Sequence, residues 1–378
     1  MLSRPHYKMA VERALGRSPV CALLGPRQCG KTTLARELAA ERPSHYFDLE
    51  SPRDQLRLQN PEGALGGLKG LIVIDEVQVQ PGLFPVLRVL ADRMDSGAVF
   101  LILGSASPEL IEKSSESLAG RVEFIDLHGF DLTEVGSAHV QDLWNRGGFP
   151  RSFLAASDAD SIAWREGFVR TFLERDLPQF GVRTPAPVMR RFWTMLAHSH
   201  GQLCNASALG RSMGLADKTV KSYLEDLTQT YMVRQLQPWF ENLSKRQIKS
   251  PKIYLRDSGI MHHLLHLESH DVLSAHPKVG ASWEGFAIEQ ILRKAGIREA
   301  YFWATQSGAE LDLLLFENGK RIGYEFKYSE NPKTTRSMRV AIEDLKLDAL
   351  RIVCPGDVTA QADSHIEVIG LQTLLGQN

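Results

Sequence analysis

Between about residues 18 and 127 the chain alternates short β-rich runs with segments of helical periodicity. VCALLG, HYFDLE, LIVIDE, VFLILG and VEFIDL are strand-sized and largely apolar. Such alternation predicts an α/β fold in which helices cover both faces of a parallel sheet. From 140 to about 200 the strand signals stop, and IAWREGFVRTFLERDL and VMRRFWTMLAHSH read as amphipathic helices of a helical domain, lid or linker.

The stretch NASALGRSMGLADKTVKSYLEDLTQTYMVRQLQPW gives a short helix, a Gly-containing turn, a longer helix with apolar Val220, Tyr223, Leu224 and Leu227, and then a strand. That is the order of a winged helix. From 280 a helix around WEGFAIEQILRKAG precedes two apolar runs that flank Asn318-Gly319, then the strand LRIVCPG. These shifts divide the chain into expected domains at 1–138, 139–200, 201–250 and 251–378.

Composition narrows the class. With 378 residues, 43% hydrophobic and 24% charged, the chain can bury two or three separate cores. A formal net charge of -1 excludes a uniformly basic nucleic-acid binder, so contact with a polyanion would be regional. Cys21, Cys29, Cys204 and Cys354 form no CxxC pair, which argues against a structural zinc site or a disulfide framework and for a cytoplasmic protein. The N-terminal MLSRPHYKMAVERAL mixes charges into its apolar positions, and the apolar runs are strand-sized, so neither a signal peptide nor a membrane span is expected.

GPRQCGKT, Gly25 to Thr32, matches G-x-x-x-x-G-K-[ST] and stands between the strand VCALL and the helix TTLARELAAE. Backbone amides of Gly25, Pro26, Arg27, Gln28, Cys29, Gly30, Lys31, Thr32 and Thr33, in so far as each carries one, would line a cradle for the phosphates of ATP or ADP. Lys31 would bridge the β- and γ-phosphates, and Thr32 would hold Mg²⁺. LIVIDE ends in Asp75 and Glu76, placing one carboxylate near the Mg²⁺ waters and a second where it can polarise an attacking water. Ser105, after VFLILG, is either a helix cap or a group reaching the γ-phosphate or that water. Arg121 is either a surface arginine or a cation for phosphoryl charge, supplied in cis or by a neighbouring copy of a homo-oligomer.

GPRQCGKTTL, LIVIDEVQ, LGSAS and SLAGR in this order, followed by GGFP, TFLERDL and SPKIYLRDSG, resemble prokaryotic AAA+ ATPases of the AAA-14 type that carry a conserved C-terminal domain of unknown function. The resemblance runs from about Arg17 to Tyr328. It implies an ATP-hydrolysing P-loop core with strand order 5-1-4-3-2, a winged helix and a C-terminal region like the restriction-endonuclease fold. By it Lys31, Thr32, Asp75 and Glu76 take the family roles, whereas Ser105 stands where many AAA+ relatives have Asn or Thr.

Asn318-Gly319 predicts a two-residue hairpin turn with positive φ at both positions. That register sets Asp312 opposite Glu325 and Glu310 opposite Lys327, with all four charges on one face. Facing carboxylates repel unless a cation lies between them, and Mg²⁺ or Mn²⁺ is a candidate. The pattern coincides with the D…E-x-K signature of that nuclease fold, with Asp312 and Glu325 as metal ligands, Lys327 helping to activate water or to stabilise the pentacovalent phosphate, and Glu284 as the additional acidic residue. A plain Glu310–Lys327 cross-strand pair is the alternative.

ENLSKRQIKSPKIYLRD gathers Lys245, Arg246, Lys249, Lys252 and Arg256 beside Trp239, Phe240 and Tyr254, a footprint that suits phosphates and stacked bases as well as a solvated loop. The expected function is a Mg²⁺-dependent ATPase coupled to a winged helix and a nuclease-like domain acting on DNA. The alternative is a nucleotide-switched scaffold whose nuclease-like fold is inactive and docks a protein partner.

Overall fold

A computed structural model of the chain describes residues 2–93, 97–105, 116–241, 247–297 and 299–376. They pack as two compact units, Met1–Gly129 with Gln229–Tyr231, and Phe130–Thr228 with Met232–Asn378.

The first unit is built on five parallel strands, β1 (Val20–Gly25), β2 (Ser44–Asp48), β3 (Gly70–Asp75), β4 (Ala98–Ser105) and β5 (Val122–Asp126). Their order is β2-β3-β4-β1-β5, the 5-1-4-3-2 order that the resemblance implies. The central strands β1, β3 and β4 are apolar without alternation because both faces are covered. Val20, Ala22, Leu24, Ile72 and Ile74 enter one core with Phe84 and Leu87, while Cys21, Leu23, Leu71 and Val73 enter the other with Leu34 and Leu38. β1 and β3 therefore run through the middle of the unit and deliver Gly25 and Asp75 to the same edge of the sheet. Gly25 could not be another residue there, since a Cβ on it would lie 2.0 Å from the carbonyl oxygen of Leu127.

In the second unit helices Val140–Arg146, Asp158–Thr171 and Ala186–His198 precede β6 (Gln202–Leu203), helices Ala206–Met213 and Asp217–Gln229, β7 (Val233–Pro238) and β8 (Lys252–Leu255). Helix Val279–Ala295 follows, then β9 (Tyr301–Ala304), β10 (Glu310–Glu317), β11 (Lys320–Phe326), helix Arg336–Leu345, β12 (Ala349–Cys354), β13 (Thr359–Asp363) and β14 (Ile366–Gly370). One sheet of order β13-β14-β12-β11-β10-β9-β7-β8-β6 contains all nine strands. The join is a short parallel pairing of β7 with β9, Gln237 with Tyr301 and Pro238 with Phe302. It makes the antiparallel trio β6, β8, β7 continuous with the C-terminal strands.

β10 and β11 form the expected hairpin. Asn318 and Gly319 have φ of 51° and 77°, and Leu313 pairs with Tyr324 and Glu317 with Lys320. Strict alternation fails at the other end. β10 is irregular against β9 between Leu311 and Leu314, and these two leucines, of opposite parity, share one apolar cluster with Trp303 and Leu350. Of the four charges, Glu310 is exposed, Lys327 is half-buried, and Asp312 and Glu325 are buried.

The core of this unit holds a buried polar chain. Trp144 Nε1 donates to Ser282 Oγ at 2.9 Å, and Ser282 Oγ lies 2.7 Å from His262 Nε2. Because the other ring nitrogen, 3.2 Å from the Asn145 carbonyl, must donate to it, His262 is the neutral Nδ1–H tautomer and Ser282 donates to Nε2. Burial pushes His262 down to about 3, as it does His200, and His263 down to about 4. The unfolded chain therefore takes up protons that the folded one refuses, and stability falls as pH drops from 6.5 toward 3. Replacing His262→Gln is expected to flatten the dependence of unfolding free energy on pH by up to about 1.4 kcal/mol per pH unit in that window. Urea titrations between pH 4.5 and 7 measure this, and parallel curves for the two proteins would contradict it.

Candidate functional site

Helix Lys31–Ala40 opens directly behind the turn that leaves β1, with Gly30 as its N-cap at φ 103° and Gln28 at φ 64°. The first turn of any helix leaves backbone N–H groups without helical partners, and an anion completes them. Lys31 is buried, and its ammonium donates to the carbonyls of Gly25 at 2.9 Å and Pro26 at 2.8 Å. Its charge is thus satisfied by the turn itself, within reach of whatever the turn encloses. Pro26 and Cys29 are buried, Arg27 and Gly30 half-buried, and Gln28 and Thr33 exposed. The Cys29 thiol donates to the Leu127 carbonyl at 3.4 Å.

The two motifs meet across 43 residues, where Thr32 Oγ1 donates to Asp75 Oδ2 at 2.9 Å. A residue that the sequence did not flag completes this contact. Tyr46 on β2 donates its hydroxyl to the same oxygen at 2.6 Å, and burial together with the Asp75 carboxylate holds Tyr46 well above its ordinary range, so it stays a donor. Asp75 Oδ1 accepts the Glu76 amide at 3.0 Å. Glu76 stands in the left-handed region at φ 55°, a strained conformation for a non-glycine residue, which turns its side chain out of the strand. Burial raises the Glu76 carboxyl against the opposing pull of Lys31, and Gln78 Nε2 donates to it.

Ser105 is in register with Gly25, is buried, and its hydroxyl finds no hydrogen-bond partner among the described residues. Lys31, Thr32, Asp75, Glu76 and Ser105 thus collect at the ends of β1, β3 and β4. Arg121 does not join them as placed, because Asp92 accepts from its Nη2 at 2.9 Å and Ala119 from its Nη1 at 3.0 Å. Arg4, also unflagged, is buried behind the turn and donates to the carbonyls of Cys29 at 3.0 Å, His128 at 2.8 Å and Gly129 at 3.2 Å.

The C-terminal candidates assemble differently. Lys252 sends its ammonium 3.2 Å from Asp312 Oδ1 and 3.7 Å from Glu284 Oε1. Burial opposes that charge, but Asp312 and Glu284 outweigh it and hold Lys252 above the ordinary lysine range. Asp312 Oδ2 accepts the Phe326 amide at 3.2 Å, and Glu325 accepts from Lys327 at 3.1 Å. Lys327 therefore pairs with Glu325 and not with Glu310. Burial followed by the Asp312 charge raises Glu284 to about 7 and Glu325 to about 8. Among the described residues no group of three or more His, Cys, Asp or Glu is arranged to hold a metal. The metal site expected of Asp312 and Glu325, with Glu284 and Lys327, is therefore not supported.

The basic segment is reduced in the same way. Lys252 faces carboxylates, and Arg256 pairs at 3.3 Å with buried Glu289, which Arg234 and Arg293 also engage. Burial alone would raise Glu289, but these three arginines outweigh it and hold the carboxyl well below its ordinary range. Tyr254 is buried, Lys249 is exposed, and Lys245 and Arg246 lie outside the described residues. No helix among the described residues is long and apolar enough to cross a membrane.

Comparison with known proteins places these features. An AAA domain model matches residues 17–136, and two models for domains of unknown function, DUF8612 and DUF4143, match 137–271 and 279–374. The chain is similar in fold to the Walker-type ATPase PABY2304 of Pyrococcus abyssi, at a TM-score of 0.50 and 14% identity over 70% of this chain and 96% of that one. It is 52% identical to the uncharacterized proteins Mb2031c of Mycobacterium bovis and Rv2008c of Mycobacterium tuberculosis, over 94% of its own length and 81% of theirs. With that identity over that length, and a P-loop at the head of its parallel sheet, the chain belongs to the family of these mycobacterial proteins, whose N-terminal domain is here a P-loop NTPase of the AAA type.

Proposed function

We propose that the first unit hydrolyses ATP with Mg²⁺ and that its nucleotide state is passed along the chain to the second unit. The observation that carries this reading is the 2.9 Å bond between Thr32 and Asp75, which brings hydroxyl and carboxylate oxygens from separate motifs to the mouth of the phosphate turn. Hard oxygen donors of this kind suit magnesium, which when bound neutralises charge on the phosphates. Lys31 exchanges its two carbonyl partners for phosphate oxygens, at little cost because its ammonium is already desolvated and pre-aimed. Glu76, raised by burial, is a stronger base than a solvated glutamate and orients the attacking water, while the unpartnered Ser105 hydroxyl is free to bond that water or the γ-phosphate. Arg4 supports the coupling: its guanidinium ties Cys29 in the turn to His128 and Gly129, the last residues before the chain enters the second unit.

The winged-helix reading of 201–250 rests on the helix, strand, helix, helix, strand, strand order from Ala186 to Leu255. A DNA substrate has less behind it, because Lys252 and Arg256 are spent on buried carboxylates. The ion pairs of Lys252 and Arg256 favour the scaffold over the nuclease.

Lys31→Ala is expected to abolish ATP binding, whereas Glu76→Gln should bind ATP normally and lose about 10²–10⁴-fold in turnover. Equilibrium binding and steady-state hydrolysis separate the two, and unchanged rates in both variants would end the ATPase reading. Tyr46→Phe leaves Asp75 less firmly held and should raise the Mg²⁺ concentration for half-maximal turnover about tenfold with kcat nearly unchanged, by the usual effect of losing a ligand's supporting hydrogen bond. An unaltered Mg²⁺ titration counts against that role. Hydrogen exchange at residues 130–136 should respond to a non-hydrolysable ATP analogue in the wild type and not in Arg4→Gln. An equal response in both proteins would show that Arg4 is no link.

A further inference from the structure

Glu76 has a neighbour that plays no part in the hydrolysis described so far. After Glu76 turns out of its strand at φ 55°, Val77–Val79 form one 3₁₀ turn, and Val77 is buried in the apolar core with Ile74 and Phe84. Val79 donates its amide to the Glu76 carbonyl at 2.9 Å, and Gln80 Nε2 donates to the Leu58 carbonyl at 2.9 Å, so the turn is pinned at both ends. The side chain of Gln78 reaches back, and its Nε2 donates to Glu76 Oε2. That carboxylate fixes which way the amide points, because only the NH₂ end can donate. The other end is bare: Gln78 Oε1 is buried and has no hydrogen-bond partner among the described residues. Buried carbonyl oxygens are ordinarily paired, so an unpaired one beside a reactive carboxylate points to an acceptor that serves a transient ligand.

The oxygen and nitrogen of one amide stand about 2.2 Å apart by their bond lengths. With Nε2 bonded to Glu76, Oε1 therefore lies within about 5 Å of Glu76 Oε2. Two acceptors that share the hydrogens of one water at ordinary hydrogen-bond lengths are about 4–5 Å apart, so the spacing suits a single water. Lys31 and Arg27 of the phosphate turn act electrostatically on the Glu76 carboxylate, which sets the pair beside the place of the γ-phosphate. We propose that Gln78 is a second catalytic residue of ATP hydrolysis, its Oε1 accepting one hydrogen of the attacking water while Glu76 accepts the other. This rests on the ATPase reading and names a residue that reading lacks. A water held by both hydrogens turns a lone pair toward the γ-phosphorus. As its oxygen bonds to phosphorus, the bond to the bridging oxygen breaks and ADP leaves with that electron pair. One hydrogen passes as a proton to Glu76, and the other stays on the new phosphate oxygen, still bonded to Gln78. The amide takes no proton; it orients the water and, through Nε2, the carboxylate that does.

The test is steady-state ATP turnover by the full chain with Mg²⁺, alongside its affinity for a non-hydrolysable ATP analogue. Gln78→Met keeps the length of the side chain and removes both ends of the amide. It is expected to lower kcat at least tenfold, the cost of a misplaced reactant, with analogue affinity within about twofold of the wild type. Added to Glu76→Gln it should cost no more than about threefold beyond that variant alone, because both residues act on one water. An unchanged kcat in Gln78→Met overturns the proposal. So does a loss matched by an equal loss of analogue affinity, or one that multiplies in full with the loss in Glu76→Gln. If Gln78→Met lacks a cooperative thermal transition, Gln78→Glu decides. That variant keeps the shape but sets a carboxylate against Glu76, so kcat should again fall at least tenfold with analogue affinity retained, and a wild-type rate overturns the proposal. A wild type that turns over no ATP defeats the ATPase reading and this proposal together, whereas normal wild-type turnover with an indifferent Gln78→Met defeats this proposal alone.

Discussion

The head of the first unit's sheet depends on one turn, whose backbone amides must find an anion. Such a turn tolerates little variation. Gly25 packs against the Leu127 carbonyl without space for a Cβ, and Gln28 and Gly30 hold positive φ so that the chain can curl before the helix begins. The buried Lys31 ammonium needs acceptors at all times, and the turn's own carbonyls provide them. Asp75 is then aimed by Thr32, Tyr46 and the backbone of Glu76, so its orientation is set before any ligand arrives. That preorganisation is what electrostatic catalysis requires, since dipoles already in place need no rearrangement during reaction.

The second unit handles buried charge by the opposite rule. Its ionised groups meet one another: Lys252 meets Asp312 and Glu284, and Glu289 meets Arg234, Arg256 and Arg293. Desolvating such groups is expensive, and a well-formed pair does little more than offset that expense. What the pairs do supply is a defined docking of elements distant in sequence. Glu289 and Glu284 lie on helix Val279–Ala295, and the residues they engage on β7 and β8 belong to the antiparallel trio. The β7–β9 pairing and these ion pairs together tie the antiparallel trio to helix Val279–Ala295 and to the C-terminal strands.

The parts of this architecture written in local pattern were legible from the chain. Short β-rich runs, unbroken and apolar in the central β1, β3 and β4, marked the five strands, the Gly25–Thr32 spacing marked the turn, and Asn318-Gly319 marked the hairpin register near its tip. What could not be read depends on partners far apart in sequence. Lys252 and Arg256 look like a surface patch because their carboxylates lie 30 or more residues away. Tyr46 looks like any strand aromatic, and nothing around Arg4 distinguishes it from a surface arginine. The irregularity of β10 against β9 between Leu311 and Leu314 is of the same kind, since period-two counting cannot foresee it.

The most direct measurement of the central claim is calorimetric titration of the wild-type chain with a non-hydrolysable ATP analogue, with and without Mg²⁺. A preformed phosphate turn completed by Thr32 and Asp75 predicts one saturable site per chain that tightens when Mg²⁺ is added. Absence of any saturable binding in the presence of Mg²⁺ would contradict it.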